Sequence, residues 1–360
     1  MTTTVQSSMH AAGQVAKVGL FQVIHQLGSR WAKREAAQAT QVQDDRVAAR
    51  RSGRPYPSRQ DVTNALRDLI RADAKLVRDG IAQPLADFGR SPLETGMRLR
   101  EMFRDIPKAA QRSAAEERHE VRDVAPTDGL PEYYTQNFHY QTGGYLTSES
   151  ARLYDLQVET LFSGTAAAMR RQALRPIAEA VADRDQRSMT LIDVACGTGR
   201  LLGEIARAFP RMRLEGCDLS QAYVDEARHY LADRRTVMLQ QANAEALPFD
   251  DASADIVTCC FLFHELPATV RRTVIGEMAR VLKPGGTVVF IDSMQHGDAP
   301  NFDGMLDAFP DRFHEPYYRQ YLEDDLDAAF NDAGLMRAGQ WNAFLSKVMV
   351  RRRSGESSGE

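Results

Sequence analysis

The segment Leu191-Ile192-Asp193-Val194-Ala195-Cys196-Gly197-Thr198-Gly199-Arg200 constrains the fold more than any other part of the chain. An apolar run of strand character enters a glycine turn, and Leu201–Ala208 then repeats at helical spacing. Glycines at such a junction let the backbone approach a ligand closely, and the helix start presents unpaired N–H groups. Asp218 closes the next strand-like run, 19 residues after Gly199, where a carboxylate can accept both hydroxyls of a ribose. A dinucleotide fingerprint needs a further glycine so that the helix can approach a pyrophosphate; Arg200, Leu201 and Leu202 follow Gly199 instead.

The surrounding pattern extends the same architecture. Strand-like runs at Met189–Ala195, Leu214–Asp218, Thr236–Gln240, Ile256–Phe263 and Thr287–Asp292 alternate with helical patterns at Leu201–Ala208, Gln221–Ala232 and Ala268–Leu282. Such alternation implies right-handed crossovers and a parallel sheet covered on both faces. Trp341–Phe344 and Lys347–Arg351 add two final strands after a helix near Glu323–Asp332. The expected fold is α/β: a Rossmann-like doubly wound sheet, parallel with an antiparallel last strand, plus an α-helical N-terminal region. The expected divisions are residues 1–125 (helical), 126–185 (a loop and helical lid, helical from Ser148 to Ala182), 186–352 (the sheet domain) and 353–360 (a disordered tail).

At 360 residues, 43% hydrophobic and 26% charged, the chain is long enough for two units and reads as a globular protein. Residues 1–130 hold 21 Lys+Arg against 16 Asp+Glu, and residues 131–360 hold 24 against 33. The basic residues are dispersed, so the basic half is expected to face the acidic half rather than nucleic acid. Leu20, Ile24, Leu27 and Trp31 recur at helical spacing in the first stretch, as do Leu66, Ile70, Val77 and Ile81 in the second. Lys17, Arg30, Lys33 and Arg34 flank the first stripe, which admits peripheral membrane contact. Packing on the sheet domain or on a second copy, as a homodimer, is favoured over that. Cys196, Cys217, Cys259 and Cys260 all fall on or beside strand-like runs, without metal-ligand spacing to histidine. They read as small buried residues of a reduced compartment, and no metal is expected. No signal-peptide pattern opens the sequence and no apolar run approaches 20 residues, so a cytoplasmic location is expected.

Four elements together resemble the class I S-adenosylmethionine (SAM)-dependent methyltransferases, and among them the small-molecule type of ubiquinone and menaquinone biosynthesis. They are Asp193 to Gly199, Gly216-Cys217-Asp218-Leu219-Ser220, Ala242-Asn243-Ala244-Glu245-Ala246-Leu247-Pro248-Phe249 and Arg280-Val281-Leu282-Lys283-Pro284-Gly285-Gly286. The resemblance covers about 190–295 and leaves 1–125 uncovered. It implies SAM as cofactor, whose lack of a phosphate is compatible with the wider turn. It implies that Ala195, Cys196, Gly197, Thr198 and Gly199 line the methionine portion, with Asp193 supporting the turn. Asp218 would take the ribose hydroxyls, Leu219 the adenine face, and Asn243 and Ala244 the adenine edge. Many relatives carry Asp at the Asn243 position; the Asn carbonyl can accept the same hydrogen bond at lower charge. Phe261 is a further candidate for cofactor contact.

Candidates for the chemistry lie in three places. His264 and Glu265 follow the fourth strand, where an imidazole could take a proton from a substrate; His264 could equally cap the following helix. Phe313-His314-Glu315-Pro316-Tyr317-Tyr318 puts acid/base groups and phenols together after the fifth strand, with His314 and Tyr317 as catalytic candidates and Glu315 and Tyr318 as substrate contacts. The alternative there is a turn whose aromatics pack on the core. Tyr133-Tyr134 and Asn137 to Tyr145 precede the sheet domain as a lid, from which Tyr145, with Tyr154, could approach a sulfonium. The reaction implied is methyl transfer to an oxygen or activated carbon of a small, aromatic or quinone-like acceptor. A SAM-binding regulator is the alternative; a nucleic-acid methyltransferase ranks lower, because Phe263-His264-Glu265-Leu266 stands where such enzymes commonly carry an Asn/Asp-Pro-Pro-aromatic motif.

Overall fold

The chain's computed structural model describes residues 3–50, 52–84 and 92–355. Seven strands form one sheet: β1 (Thr190–Val194), β2 (Arg213–Asp218), β3 (Val237–Gln241), β4 (Ala254–Cys260), β5 (Leu282–Ser293), β6 (Leu335–Ala343) and β7 (Ser346–Arg353). Their spatial order is β3-β2-β1-β4-β5-β7-β6. The first five run parallel, and β7 lies antiparallel between β5 and β6. This is the doubly wound sheet expected, with its antiparallel last strand inserted one place from the edge.

Near-continuous apolar runs make strands that are buried on both faces. Ile192, Val194, Val257, Val288 and Phe290 point to one side and pack with Val274, Met278, Tyr321 and Phe330. Leu191, Ile256, Val289 and Ile291 point to the other and pack with Met169, Leu174, Ile177, Leu202 and Ile205. All four cysteines are free, and Cys196, Cys217 and Cys259 are buried.

The helices, in chain order, are α1 (Thr3–Glu35), α2 (Ala37–Ala49), α3 (Arg59–Arg78), α4 (Pro92–Ala115), α5 (Val121–Val124), α6 (Ser148–Leu161), α7 (Ala166–Arg171), α8 (Leu174–Val181), α9 (Arg200–Ala208), α10 (Gln221–Tyr230), α11 (Ala268–Val281), α12 (Asp303–Arg312), α13 (Tyr318–Leu322) and α14 (Leu326–Asp332). Ser58 starts α3 with a capping box, its hydroxyl accepting the Asp61 N–H while the Asp61 carboxylate accepts the Ser58 N–H. α3 then lays Leu69, Leu76 and Val77 into the same apolar cluster as α7, α8 and α9. The N-terminal helices are thus packed on the sheet domain. Among the described residues no helix is long and apolar enough to cross a membrane.

The structure differs from the sequence pattern at four places. On α1 only Ile24 of the expected stripe is buried; Leu20, Leu27 and Trp31 are exposed. The buried face carries His10, Gln14, Lys17 and Phe21, because it meets charged groups, Asp73 and Glu159. The helical stretch from Ser148 breaks at Gly164, whose φ of +79° only glycine adopts easily and whose missing Cβ leaves room for Phe21 and Lys17. β4 ends at Cys260; Phe261 turns left-handed (φ +58°), as does Phe344 (φ +58°) in the β6–β7 hairpin. β7 runs on to Arg353, which the sequence placed in the tail, and residues 356–360 of that expected tail lie outside the described residues.

Candidate active site

The turn after β1 is built from three left-handed residues, Ala195, Gly197 and Gly199, with φ of +56°, +53° and +76°. The two glycines serve different ends. A Cβ on Gly197 would meet nothing within 4 Å, so this position opens onto a cleft. A Cβ on Gly199 would stand 2.8 Å from Leu231 and 3.1 Å from Ala227, so this glycine lets α10 approach the start of α9. Gly199 does not line the cleft; the other ten sequence-selected cofactor residues, Asp193, Ala195, Cys196, Gly197, Thr198, Asp218, Leu219, Asn243, Ala244 and Phe261, all do. The cleft holds about 990 Å³ counting its open mouth.

Asp218 sits at the centre of the turn's hydrogen bonding. Its Oδ2 accepts the Gly197 N–H at 2.9 Å and its Oδ1 the Ser220 N–H at 2.9 Å. Burial pushes its carboxyl up to about 6 despite those two bonds. Asp193, behind the turn, accepts the Thr258 hydroxyl at 2.6 Å and is pushed by burial to about 7. The Asn243 carbonyl accepts the Glu245 N–H at 2.9 Å, and Tyr133 donates to the Glu245 carboxylate at 2.7 Å, which ties the lid to the cleft rim.

The lid supplies the roof. Tyr145 stacks on Phe138 with centroids 5.4 Å apart and meets Tyr154 and Tyr223 edge-on at 6.0 and 5.5 Å. The Ser220 hydroxyl donates to the Tyr145 carbonyl at 2.5 Å, joining the lid to the end of β2. Asp155 of α6 clamps the floor, accepting Thr198 Oγ1 at 2.6 Å and Arg200 Nε at 2.7 Å. Asp155, Arg170, Arg200 and Tyr223 line the cleft and escaped the sequence reading. Asp155, Arg170 and Tyr223 reach it from helices, where a lone charged or phenolic residue carries no local signal.

A second, more apolar cavity adjoins the cleft and shares Tyr154, Phe261 and Glu265 with it. Its walls are Val158, Leu161, Phe162, Phe309 and Phe313, and its polar end carries His139, His264 and Glu265. There His139 Nε2 lies 3.1 Å from Glu315 Oε1 and 3.7 Å from Glu265 Oε1. His139 Nε2 and carboxylate oxygens of Glu265 and Glu315 fit within 4.8 Å of one another, a donor set able to hold a cation. Tyr145 donates to Glu265 Oε1 at 2.5 Å.

The catalytic candidates fare unevenly. His264 lines the second cavity, its Nδ1 donating to Asp292 Oδ1 at 2.6 Å. Burial opposes its charge, but Asp292, Glu265 and Glu315 outweigh burial and push it up to about 10. A charged imidazole donates hydrogen bonds and accepts no proton, so the role open to His264 in this state is that of donor, not base. His314 lines neither cavity: its Nε2 meets Gln136 Oε1 at 2.9 Å, its ring packs near Phe138 and Tyr140, and burial pushes it down to about 4. Tyr317 receives the Gln136 amide at 3.3 Å, and Tyr318 pairs with the Ser293 hydroxyl at 2.6 Å inside the core. Neither lines the cleft or the second cavity. The 313–318 turn packs the His314 and Tyr318 rings inward because a ring gains more from burial than from a wet cavity rim. Glu315 enters the charged cluster, Phe313 the cavity wall, and Tyr145, Tyr154 and Glu265 stand where the two cavities meet or over the cleft.

Residues 191–286 match a family described as a methyltransferase domain. A demethylmenaquinone methyltransferase of Deinococcus radiodurans is 34% identical over 140 residues, covering 39% of this chain and 55% of that protein. One of Halalkalibacterium halodurans is 35% identical over 113 residues, 31% of this chain and 45% of the other. A ubiquinone/menaquinone biosynthesis C-methyltransferase of Idiomarina loihiensis is 36% identical over 114 residues, 30% and 43% of the two chains. The chain spans about half the length of the curated relatives it matches.

Proposed function

We propose that this chain, whose residues 191–286 carry a methyltransferase domain, binds SAM in the cleft and moves its methyl group to a small acceptor in the second cavity. The observation that carries the reading is the meeting of the two cavities at Tyr154, Phe261 and Glu265. One is shaped for a nucleoside with an amino-acid tail and the other for an apolar ring. SAM supplies an activated methyl carbon. Everything else required is alignment of the acceptor in a dry space.

The residues present fit that cofactor. Gly197 leaves open space over the turn, the α9 N-terminus faces the cleft, and Asp218 keeps acceptor capacity beyond its two backbone bonds. The rings of Tyr145, Tyr154 and Phe261 supply electron-rich faces toward a sulfonium. Phe162, Phe309 and Phe313 suit an aromatic or quinone-like acceptor methylated on oxygen or activated carbon; the relatives are named for demethylmenaquinone and for C-methylation in ubiquinone/menaquinone biosynthesis. Incubation with SAM and phenolic or quinol acceptors should give methylated product and S-adenosylhomocysteine. SAM consumption restricted to amines or thiols would refute the acceptor class, and binding without any transfer would refute the enzyme reading.

Two outcomes follow at these sites. As a carboxylate Asp218 can accept from both ribose hydroxyls, and burial pushes its carboxyl up to about 6. Protonation removes the charge and turns one oxygen into a donor: affinity for S-adenosylhomocysteine should be level above pH ~7 and fall below pH ~6 towards the weaker affinity of a neutral side chain. Calorimetry across that range checks it; a flat profile would exclude the ribose role. Phe313→Ala should raise the acceptor KM about tenfold, the value of burying one aromatic side chain. SAM affinity should hold, since Phe313 lines the second cavity and not the cofactor cleft. An unchanged KM would move the acceptor elsewhere.

A further inference from the structure

His139, Glu265 and Glu315 come from three distant segments: the lid, the turn after β4 and the turn after α12. Their ring nitrogen and carboxylate oxygens converge within 4.8 Å, with separations of 3.1 Å from His139 to Glu315 and 3.7 Å from His139 to Glu265. Donors placed about 2.0–2.2 Å from one first-row cation stand roughly 3.0–3.5 Å apart, so small side-chain movements bring all three to one ion.

The Glu315 carboxylate is an independent sign that something is held here. Its side chain is wholly buried, yet neither oxygen accepts a hydrogen bond. A carboxylate taken out of water without donor partners is strongly unfavourable unless a positive charge faces it. Oε1 points at His139, into the cluster.

We propose that His139, Glu265 and Glu315 bind one divalent first-row cation, of the Zn2+ or Mn2+ type, in the wall between the cofactor cleft and the second cavity. One imidazole with two carboxylates favours such ions over Ca2+ and Mg2+, which take oxygen donors. Three protein ligands leave coordination positions open, as in sites where an ion meets a substrate. The Tyr145 hydroxyl, 2.5 Å from Glu265 Oε1, fixes that carboxylate in place and links the ion to the lid. His139 and Glu265 line the second cavity, so the open positions face the acceptor and would take its oxygen atoms. That use rests on the methyl-transfer reading; the site itself does not.

The test titrates Zn2+ and, separately, Mn2+ into the chelator-treated full chain by calorimetry. One ion per chain is expected, bound at least about 100-fold more weakly by Glu315→Gln and by His139→Asn, the loss of a ligand exceeding the 10–100-fold that outer partners give. Affinity for S-adenosylhomocysteine and the melting temperature are read on the same samples. His139→Asn, lying outside the cofactor cleft, should leave the nucleoside affinity unchanged, and retained nucleoside affinity shows that a variant with a lowered melting temperature is still folded. No binding to the wild-type chain overturns the proposal, since the cluster is then held by protons alone. Binding undiminished in both variants overturns it as well. The separate nucleoside measurement tells failure of the metal site from failure of the methyltransferase reading.

Discussion

Asp218→Ala should weaken S-adenosylhomocysteine binding by at least about a hundredfold. Two hydroxyls donating to an ionised carboxylate are worth about 1.5–3 kcal/mol each, so losing both removes about 3–6 kcal/mol. The same substitution strips the Gly197 and Ser220 N–H groups of their acceptor, at the two places where the turn must hold its shape. Asp218→Asn separates the effects: it keeps one carbonyl acceptor and the side chain's volume but loses the charge. Its affinity should fall between wild type and Asp218→Ala. Calorimetry measures all three, with melting curves to show that the fold survives. Full affinity in Asp218→Ala would remove the ribose from this position.

Asp73→Ala should destabilise the chain by about 3–5 kcal/mol, the usual cost of leaving one member of a buried ion pair alone. Arg171, fully buried on α7, donates Nε and Nη2 to the two Asp73 oxygens at 2.7 Å each. His10 of α1 meets Asp73 Oδ2 at 2.7 Å, and Arg171 Nη1 reaches Glu204 of α9 at 3.5 Å. One carboxylate thereby joins two N-terminal helices to the sheet domain. Burial opposes its charge, but Arg171 and His10 hold the Asp73 carboxyl below its usual 3.8. A depressed folded-state value contributes stability that is complete above about pH 4 and lost as the pH falls further. Wild-type stability should therefore drop more steeply in acid than that of Asp73→Ala. Denaturant melts at neutral and acid pH check both statements. Replacing the pair together, as Asp73→Leu with Arg171→Met, should cost less than either single change, because neither member of the pair is left buried alone and Glu204 keeps Arg207 as partner. A double variant as unstable as Asp73→Ala would contradict the ion-pair account.

The parts of the site that were legible in the sequence are those the backbone makes. Gly197, Asp218 and Asn243 follow strand ends at fixed spacing, and the strand pattern alone brings them to one edge of the sheet. Side chains delivered by helices were not legible. Asp155 and Arg170 look in sequence like ordinary surface charges, and only the packing of α6 against α10 and of α7 against α9 turns them inward. The cluster at 313–318 misled for a related reason. Its chemistry was visible, but its direction depended on the core that Tyr318 fills, so His314, Tyr317 and Tyr318 point away from both cavities while Phe313 and Glu315 do not. The three cation-site donors share no spacing, since each comes from a different segment; no pattern of histidines and carboxylates along the chain foreshadows them. On α1 the helical period was right and the face was wrong, because its partner surface presents Asp73 and Glu159 and so selects His10 and Lys17 over Leu20 and Leu27.

The central claim is that the glycine turn and Asp218 hold a nucleoside whose reactive end faces the apolar cavity. A crystal structure of the full chain grown with S-adenosylhomocysteine tests it most directly. The account predicts the ribose on Asp218, the amino-acid tail against Gly197 and the α9 N-terminus, and the sulfur directed toward Tyr154, Phe261 and Glu265. Density for the molecule anywhere else, or a ribose that leaves Asp218 untouched, would contradict it.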